Sequence, residues 1–207
     1  MRSVLFAIFL TLIVAPAMAA PVNVFPSLGN RLSEQDKAAL DRVSAYLNGI
    51  KTMQGDFTQI GPQGQTDQGK FYIEKPGEMR FEYAPPNPVL IVSDGKTVFV
   101  QNSDLNTIDR YPLADTPLQL ILDNNIDLKG RTEIVGLSHQ PNSLVISARS
   151  HSSRAEGNIS LVLAEPNLEL RQWTVVDAQG LSTTTVLSNV QQGISLPDSL
   201  FAPLAKN

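Results

Sequence analysis

The stretch Gly69-Lys70-Phe71-Tyr72-Ile73-Glu74-Lys75-Pro76-Gly77-Glu78-Met79-Arg80-Phe81-Glu82-Tyr83 decides the fold. Side chains along a strand point to alternate faces. Phe71 and Ile73 therefore share one face, and Tyr72 and Glu74 take the other. Beyond the turn at Lys75-Pro76-Gly77, Met79, Phe81 and Tyr83 again share a face, opposite Arg80 and Glu82. A hairpin with one apolar and one charged face needs its apolar side covered. If the sheet curls, that side becomes the inside of an apolar trough, with Phe57 of the preceding strand as part of the lining. Lys75 has the parity of Phe71 and Ile73. Either it snorkels into water from the strand end, or it is a polar latch to whatever covers the trough, since a desolvated ammonium needs a partner.

The same alternation continues outward. Strand candidates are 53–60, 70–75, 79–83, 89–93, 97–101, 108–111, 131–138, 143–149, 158–163, 169–176 and 182–190. Gly61-Pro62-Gln63-Gly64, Ala84-Pro85-Pro86, Pro141-Asn142, Glu165-Pro166-Asn167 and Gln179-Gly180 supply turn chemistry between them. Asp94-Gly95, between two apolar runs, is the strongest hairpin signal. Such a succession without intervening helices predicts an antiparallel meander, and hence a barrel, a half-barrel or a sandwich. The polar stretch 147–157 reads as an exposed hairpin loop.

Two segments carry helical signals. Ser33 is a candidate N-cap with Asp36 three residues on, and Leu40, Val43, Leu47 and Ile50 form an apolar stripe. Gly49 stands where a left-handed residue often ends a helix. Thr116-Pro117 opens a second candidate running to Asn125, with Thr116 as N-cap. Its middle, including Leu118, Ile121 and Leu122, is apolar nearly all round, as in a helix buried over a core or a cavity.

The chain begins Met1-Arg2-Ser3, continues with an apolar run from Val4 to Val14, and reaches Ala17-Met18-Ala19. Eleven residues, all apolar but Thr11, make a helix of roughly 16 Å, about half a bilayer core. Residues 1–19 are therefore expected to be a cleaved secretory signal, after which 21–29 form a proline-containing lead-in. Residues 20–207 are then expected to form one domain.

Composition narrows the chemistry. The chain has no cysteine, which excludes disulfides, thiol nucleophiles and thiolate metal sites. A net charge of −4 lacks the footprint of a nucleic-acid binder. His139 and His151 are the two histidines, and there is no G-x-S-x-G elbow, H-E-x-x-H, P-loop or dinucleotide fingerprint. No metal, cofactor or catalytic residue is expected.

Four stretches together resemble a known family, the periplasmic outer-membrane lipoprotein carrier LolA. They are Met53-Gln54-Gly55-Asp56-Phe57-Thr58-Gln59, the hairpin 69–83, Ile91-Val92-Ser93-Asp94-Gly95-Lys96-Thr97-Val98-Phe99-Val100, and Thr116-Pro117-Leu118. Their order fits over residues 33–135. The resemblance implies a mainly β (α+β) fold, an unclosed antiparallel barrel of about eleven strands with a helical lid over an apolar cavity. It implies a periplasmic, non-enzymatic carrier of the acyl chains of lipoproteins, without cofactor. Cargo would come from an inner-membrane ABC-type exporter and pass to an outer-membrane receptor. The lining and lid would be Leu40, Val43, Leu47, Phe57, Phe71, Ile73, Met79, Phe81, Tyr83, Leu118, Ile121 and Leu122. Well-known members carry an arginine just before the hairpin proline that bonds to the lid. Here that position is Lys75, which keeps the charge and loses the planar fork. A monomer is expected. A lipid or lipoprotein sensor on the same fold is the alternative reading, and a secreted hydrolase a remote one.

Overall fold

The structure, a computed structural model, describes residues 32–150 and 157–202. The expected signal segment, the lead-in and residues 151–156 of the expected loop lie outside these. Helix α1 (Glu34–Gly49) starts as expected: the Ser33 hydroxyl accepts from the Asp36 N–H, and the Asp36 carboxylate accepts from the Ser33 N–H. It stops at Ile50, which is extended (φ −72°). Gly49 keeps a negative φ, so the expected left-handed stop is absent and the chain turns directly into the sheet.

Eleven strands follow: β1 (Thr52–Ile60), β2 (Thr66–Glu74), β3 (Glu78–Tyr83), β4 (Val89–Asp94), β5 (Thr97–Asn102), β6 (Thr107–Pro112), β7 (Thr132–Gln140), β8 (Ser143–Ser150), β9 (Asn158–Ala164), β10 (Glu169–Val176) and β11 (Ser182–Gln192). They form one antiparallel sheet in the order β6-β5-β4-β3-β2-β1-β11-β10-β9-β8-β7. β6 and β7 are its edges, so it stays unclosed. β2 begins four residues before the expected start, because its polar half pairs with β1 from Ile60↔Thr66 to Phe57↔Gly69. β8 continues through 147–150, with Ser147 and Ala148 buried against β9, so the expected loop is partly strand. Asp94-Gly95 does form a hairpin. Gly95 (φ 89°) takes the first central position, and the Asp94 carboxylate accepts from the Lys96 and Thr97 N–H groups.

The sheet curls. β3 and β10 are four ladder steps apart, which in a flat sheet would separate them by roughly 19 Å. Yet the Phe81 and Trp173 rings meet edge-on with centroids 5.9 Å apart. Phe57 lies 5.0 Å from Phe81, and Phe71 stacks on Phe81 at 6.0 Å, so an aromatic row lines the concave face. Gly69 permits this packing. A Cβ there would meet the Glu82 carbonyl oxygen at 2.1 Å and the Phe57 ring at 2.7 Å. The convex face is less uniformly charged than its sequence suggests. The 3₁₀ turn Asp198–Phe201 lies over β3 and β4, where Phe201, Leu90 and Val92 are buried. Arg80 points outward and donates to the Leu200 carbonyl.

Residues 113–131 carry the chain from edge β6 to edge β7. Within them, helix α2 is short (Gln119–Leu122) and follows the 3₁₀ turn Leu113–Asp115. Thr116 is no N-cap. Its hydroxyl donates to the Leu113 carbonyl, serving the turn behind it.

Strand direction sorts the turns to two ends. Turns 75–77, 95–96, 141–142 and 165–168 lie at one end, and turns 61–65, 84–88, 103–106 and 177–181 lie at the other. Helix α1 is bound at the first. Asp36 meets His139, Arg42 meets Glu165, and the Tyr46 hydroxyl accepts from the Leu170 N–H and the Gln192 amide. Gly69→Ala should lower stability by about 2 kcal/mol or more, read as a lower urea midpoint; an unchanged midpoint contradicts the close approach of β2, β3 and Phe57.

Candidate functional site

The concave face is partly filled and partly hollow. Beneath α1, Leu40, Val43 and Leu47 join Leu144, Ile146, Leu161 and Leu163 in one cluster, each 1 % exposed or less. Phe57, Phe71, Ile73, Ile121 and Leu122 belong to the same buried cluster. Beside it lies a cavity of about 560 Å³. β3 (Met79, Phe81), β4 (Ile91), β5 (Val98) and β6 (Tyr111, Pro112) wall one side. Trp173 and Val175 of β10 and Thr183 and Thr185 of β11 wall the other, with Gln59 between. Residues 115–118 pass over it, and Asp177, Ala178, Gln179 and Leu181 bring it to the end away from α1.

Of the residues expected to line or cover a cavity, Met79, Phe81 and Leu118 stand on its wall. Tyr83 lies beside Phe57 (5.1 Å), and its hydroxyl donates to Gln59 Oε1 at 2.6 Å. Burial pushes the Tyr83 phenol above its ordinary range, so it remains a donor. The sequence reading missed Ile91 and Val98, although hairpin register reaches them. Phe81 pairs with Ile91 and Ser93 with Val98, so alternation carried across Gly95 places both on the concave face. The 177–181 turn had no such signal, because it depends on how far β10 and β11 run.

Lys75 points into the interior and its Nζ donates to the Leu47 carbonyl at 2.8 Å. That carbonyl lies in the last turn of α1, which contains no basic residue of its own. The ammonium therefore supplies from another hairpin the cation that a helix C-terminus favours. Burial, and then the neighbouring Lys51, lower its pKa to about 8, against a smaller opposing pull from Asp123. The 113–122 segment is held more lightly. The Gly77 N–H donates to the Leu122 carbonyl and the Leu113 N–H to the Lys96 carbonyl. Among the described residues no group of three or more His, Asp or Glu side chains could hold a metal.

A curled, unclosed sheet with an interior apolar cavity and a crossing segment defines a binding protein for apolar ligands. The family model for "Outer membrane lipoprotein carrier protein LolA" matches residues 48–203, and the chain belongs to that family. The outer-membrane lipoprotein carrier protein of Chromobacterium violaceum is 26 % identical over 206 residues, covering 96 % of this chain and 92 % of that one. The protein of the same name from Bordetella avium is 29 % identical over 172 residues, covering 79 % and 81 %. These homologues are named as carriers, not enzymes. An uncharacterized conserved protein from Thermus thermophilus shares the fold, with TM-score 0.50 and 14 % identity over 84 % of this chain and 96 % of that one.

The buried lysine sets a pH signature. The folded protein releases the Lys75 proton near pH 8 and the unfolded chain near 10.5. Between these values the unfolded chain holds more protons, so stability rises with pH. The burial penalty is complete below pH 8 and fades toward 10.5. The stability difference between the parent and Lys75→Met should therefore move in the parent's favour from pH 8 to 10 in urea titrations. A constant difference contradicts a desolvated ammonium.

Proposed function

We propose that this protein is a carrier that takes acyl chains of lipoproteins into the cavity and moves them across the periplasm, from an inner-membrane exporter to the outer membrane. The cavity between the two halves of the curled sheet carries this reading, and family membership supports it. An acylated anchor presents some thirty to forty-five CH₂ groups, and at about 0.8 kcal/mol each their exposure to water would cost tens of kcal/mol. A carrier must replace most of that burial.

The cavity in its present form is too small for the whole anchor. At roughly 30 Å³ per water-sized group, its 560 Å³ takes on the order of twenty groups, about one acyl chain. Loading therefore requires the roof at 113–122 to move. Its apolar side chains, including Leu118, Ile121 and Leu122, occupy the interior, and in this reading they compete with cargo for it. This competition keeps affinity below that of a membrane, so that release is possible. In this reading Phe81 and Trp173 belong to the fixed part of the lining, α1 covers the filled part of the interior beside it, and Lys75 is the latch that fixes α1 while the roof moves.

Mixed with spheroplasts whose export machinery is active, the purified protein should bring a lipoprotein into the soluble fraction; lipoprotein that stays in the membrane contradicts the carrier reading. Lys75→Leu should change the rate of cargo transfer more than twofold while the protein stays folded by circular dichroism. An unchanged rate returns Lys75 to a purely structural role.

A further inference from the structure

Three large apolar side chains are exposed among the described residues: Ile60 at 40 %, Leu105 at 59 % and Leu181 at 38 %. They are far apart in sequence. Ile60 ends β1, Leu105 sits in the β5–β6 turn, and Leu181 closes the β10–β11 turn. Strand direction places all three at one end of the sheet, the end without α1. The cavity reaches the same end, and Leu181 belongs both to its wall and to this exposed set. Scattered surface leucines are ordinary, whereas three at the one sheet end that an apolar cavity reaches, one of them on its wall, are not.

We infer that this rim rests on the surface of an electrically neutral phospholipid leaflet, so that the cavity faces the bilayer when an acyl chain enters or leaves. The inference deepens the carrier reading and rests on it. Charge decides the kind of surface. The four turns of this end that lie among the described residues read Gly61-Pro62-Gln63-Gly64-Gln65, Ala84-Pro85-Pro86-Asn87-Pro88, Ser103-Asp104-Leu105-Asn106 and Asp177-Ala178-Gln179-Gly180-Leu181. They contain no lysine or arginine, and their charges are those of Asp104 and Asp177. Arg131 and Arg149 stand at this end on the β7–β8 side, and neither lines the cavity. A rim of this composition gains nothing from anionic headgroups, which attract basic segments. The apolar side chains are free to enter the headgroup region, and the neutral turns lie flat against it. Contact also shortens the aqueous step, because an acyl chain can pass from leaflet to cavity along Leu181 without full exposure to water.

Flotation with vesicles tests this, using protein expressed as the whole chain and purified from the periplasm. The parent should float with phosphatidylethanolamine–phosphatidylcholine vesicles and no better with added phosphatidylglycerol. Leu105→Glu and Leu181→Glu should each bind about tenfold more weakly, while a fluorescent apolar probe reports an unchanged cavity in Leu105→Glu. A parent that takes up the probe but does not float overturns the membrane contact and leaves the carrier reading standing. Binding that requires phosphatidylglycerol, or that ignores both substitutions, overturns it as well. Loss of lipoprotein transfer in Leu105→Glu without any flotation of the parent assigns the rim to a protein partner instead. A parent that floats but takes up no probe contradicts the carrier reading on which the inference rests.

Discussion

The contact between Phe81 and Trp173 across the concave face is the constraint on which the rest depends. It holds β3 and β10 far closer than a flat sheet allows. One apolar face is thereby turned on itself, and the sheet needs no second sheet to cover it. The order of strands then dictates the roof. β6 and β7 are consecutive in sequence but sit at opposite edges, so residues 113–131 must cross the gap between them. The segment over the cavity is a consequence of that topology.

The two coverings of the interior are built differently. Helix α1 is tied to the strand ends by Asp36, Arg42, Tyr46 and the Lys75–Leu47 bond, and to the crossing segment by Asn48, whose amide exchanges two hydrogen bonds with the Ile126 backbone. Ser44 accepts from the Leu128 N–H, and Asp41 pairs with Lys129. Releasing α1 would break all of these and expose a well-packed stripe. Residues 113–122 are attached at the β2–β3 and β4–β5 turns through two backbone bonds. Local opening follows the lower density of contacts. In the carrier reading proposed above, the roof is the part of the interior that yields to a ligand, and α1 stays fixed beside it.

Much of this was legible in the residues. Alternation in 69–83 identified the concave face, and turn chemistry located all eleven strands. The resemblance rested on residues 33–135, while the family match reaches 203 and so takes in the strands beyond. What escaped depends on tertiary context. Gly49 could have ended α1, but the chain enters β1 at once and leaves no room for a left-handed residue. Thr116 had the form of an N-cap, yet the turn at 113–115 takes its hydroxyl. The apolar stripe of α1 gave no sign that its side chains join the filled, buried cluster rather than lining the cavity. The division of one apolar interior into a filled part and a hollow part is set by side-chain volumes across the curl, which no local pattern records.

The most direct measurement of the central claim is site-specific photocrosslinking in living cells, with benzoylphenylalanine at Ile91 on the cavity wall or at Tyr72 on the convex face. Lipoprotein should become attached through its acylated terminus at position 91 and not at position 72. Attachment at 72 alone, or equally at both, would contradict an interior that receives the acyl chain.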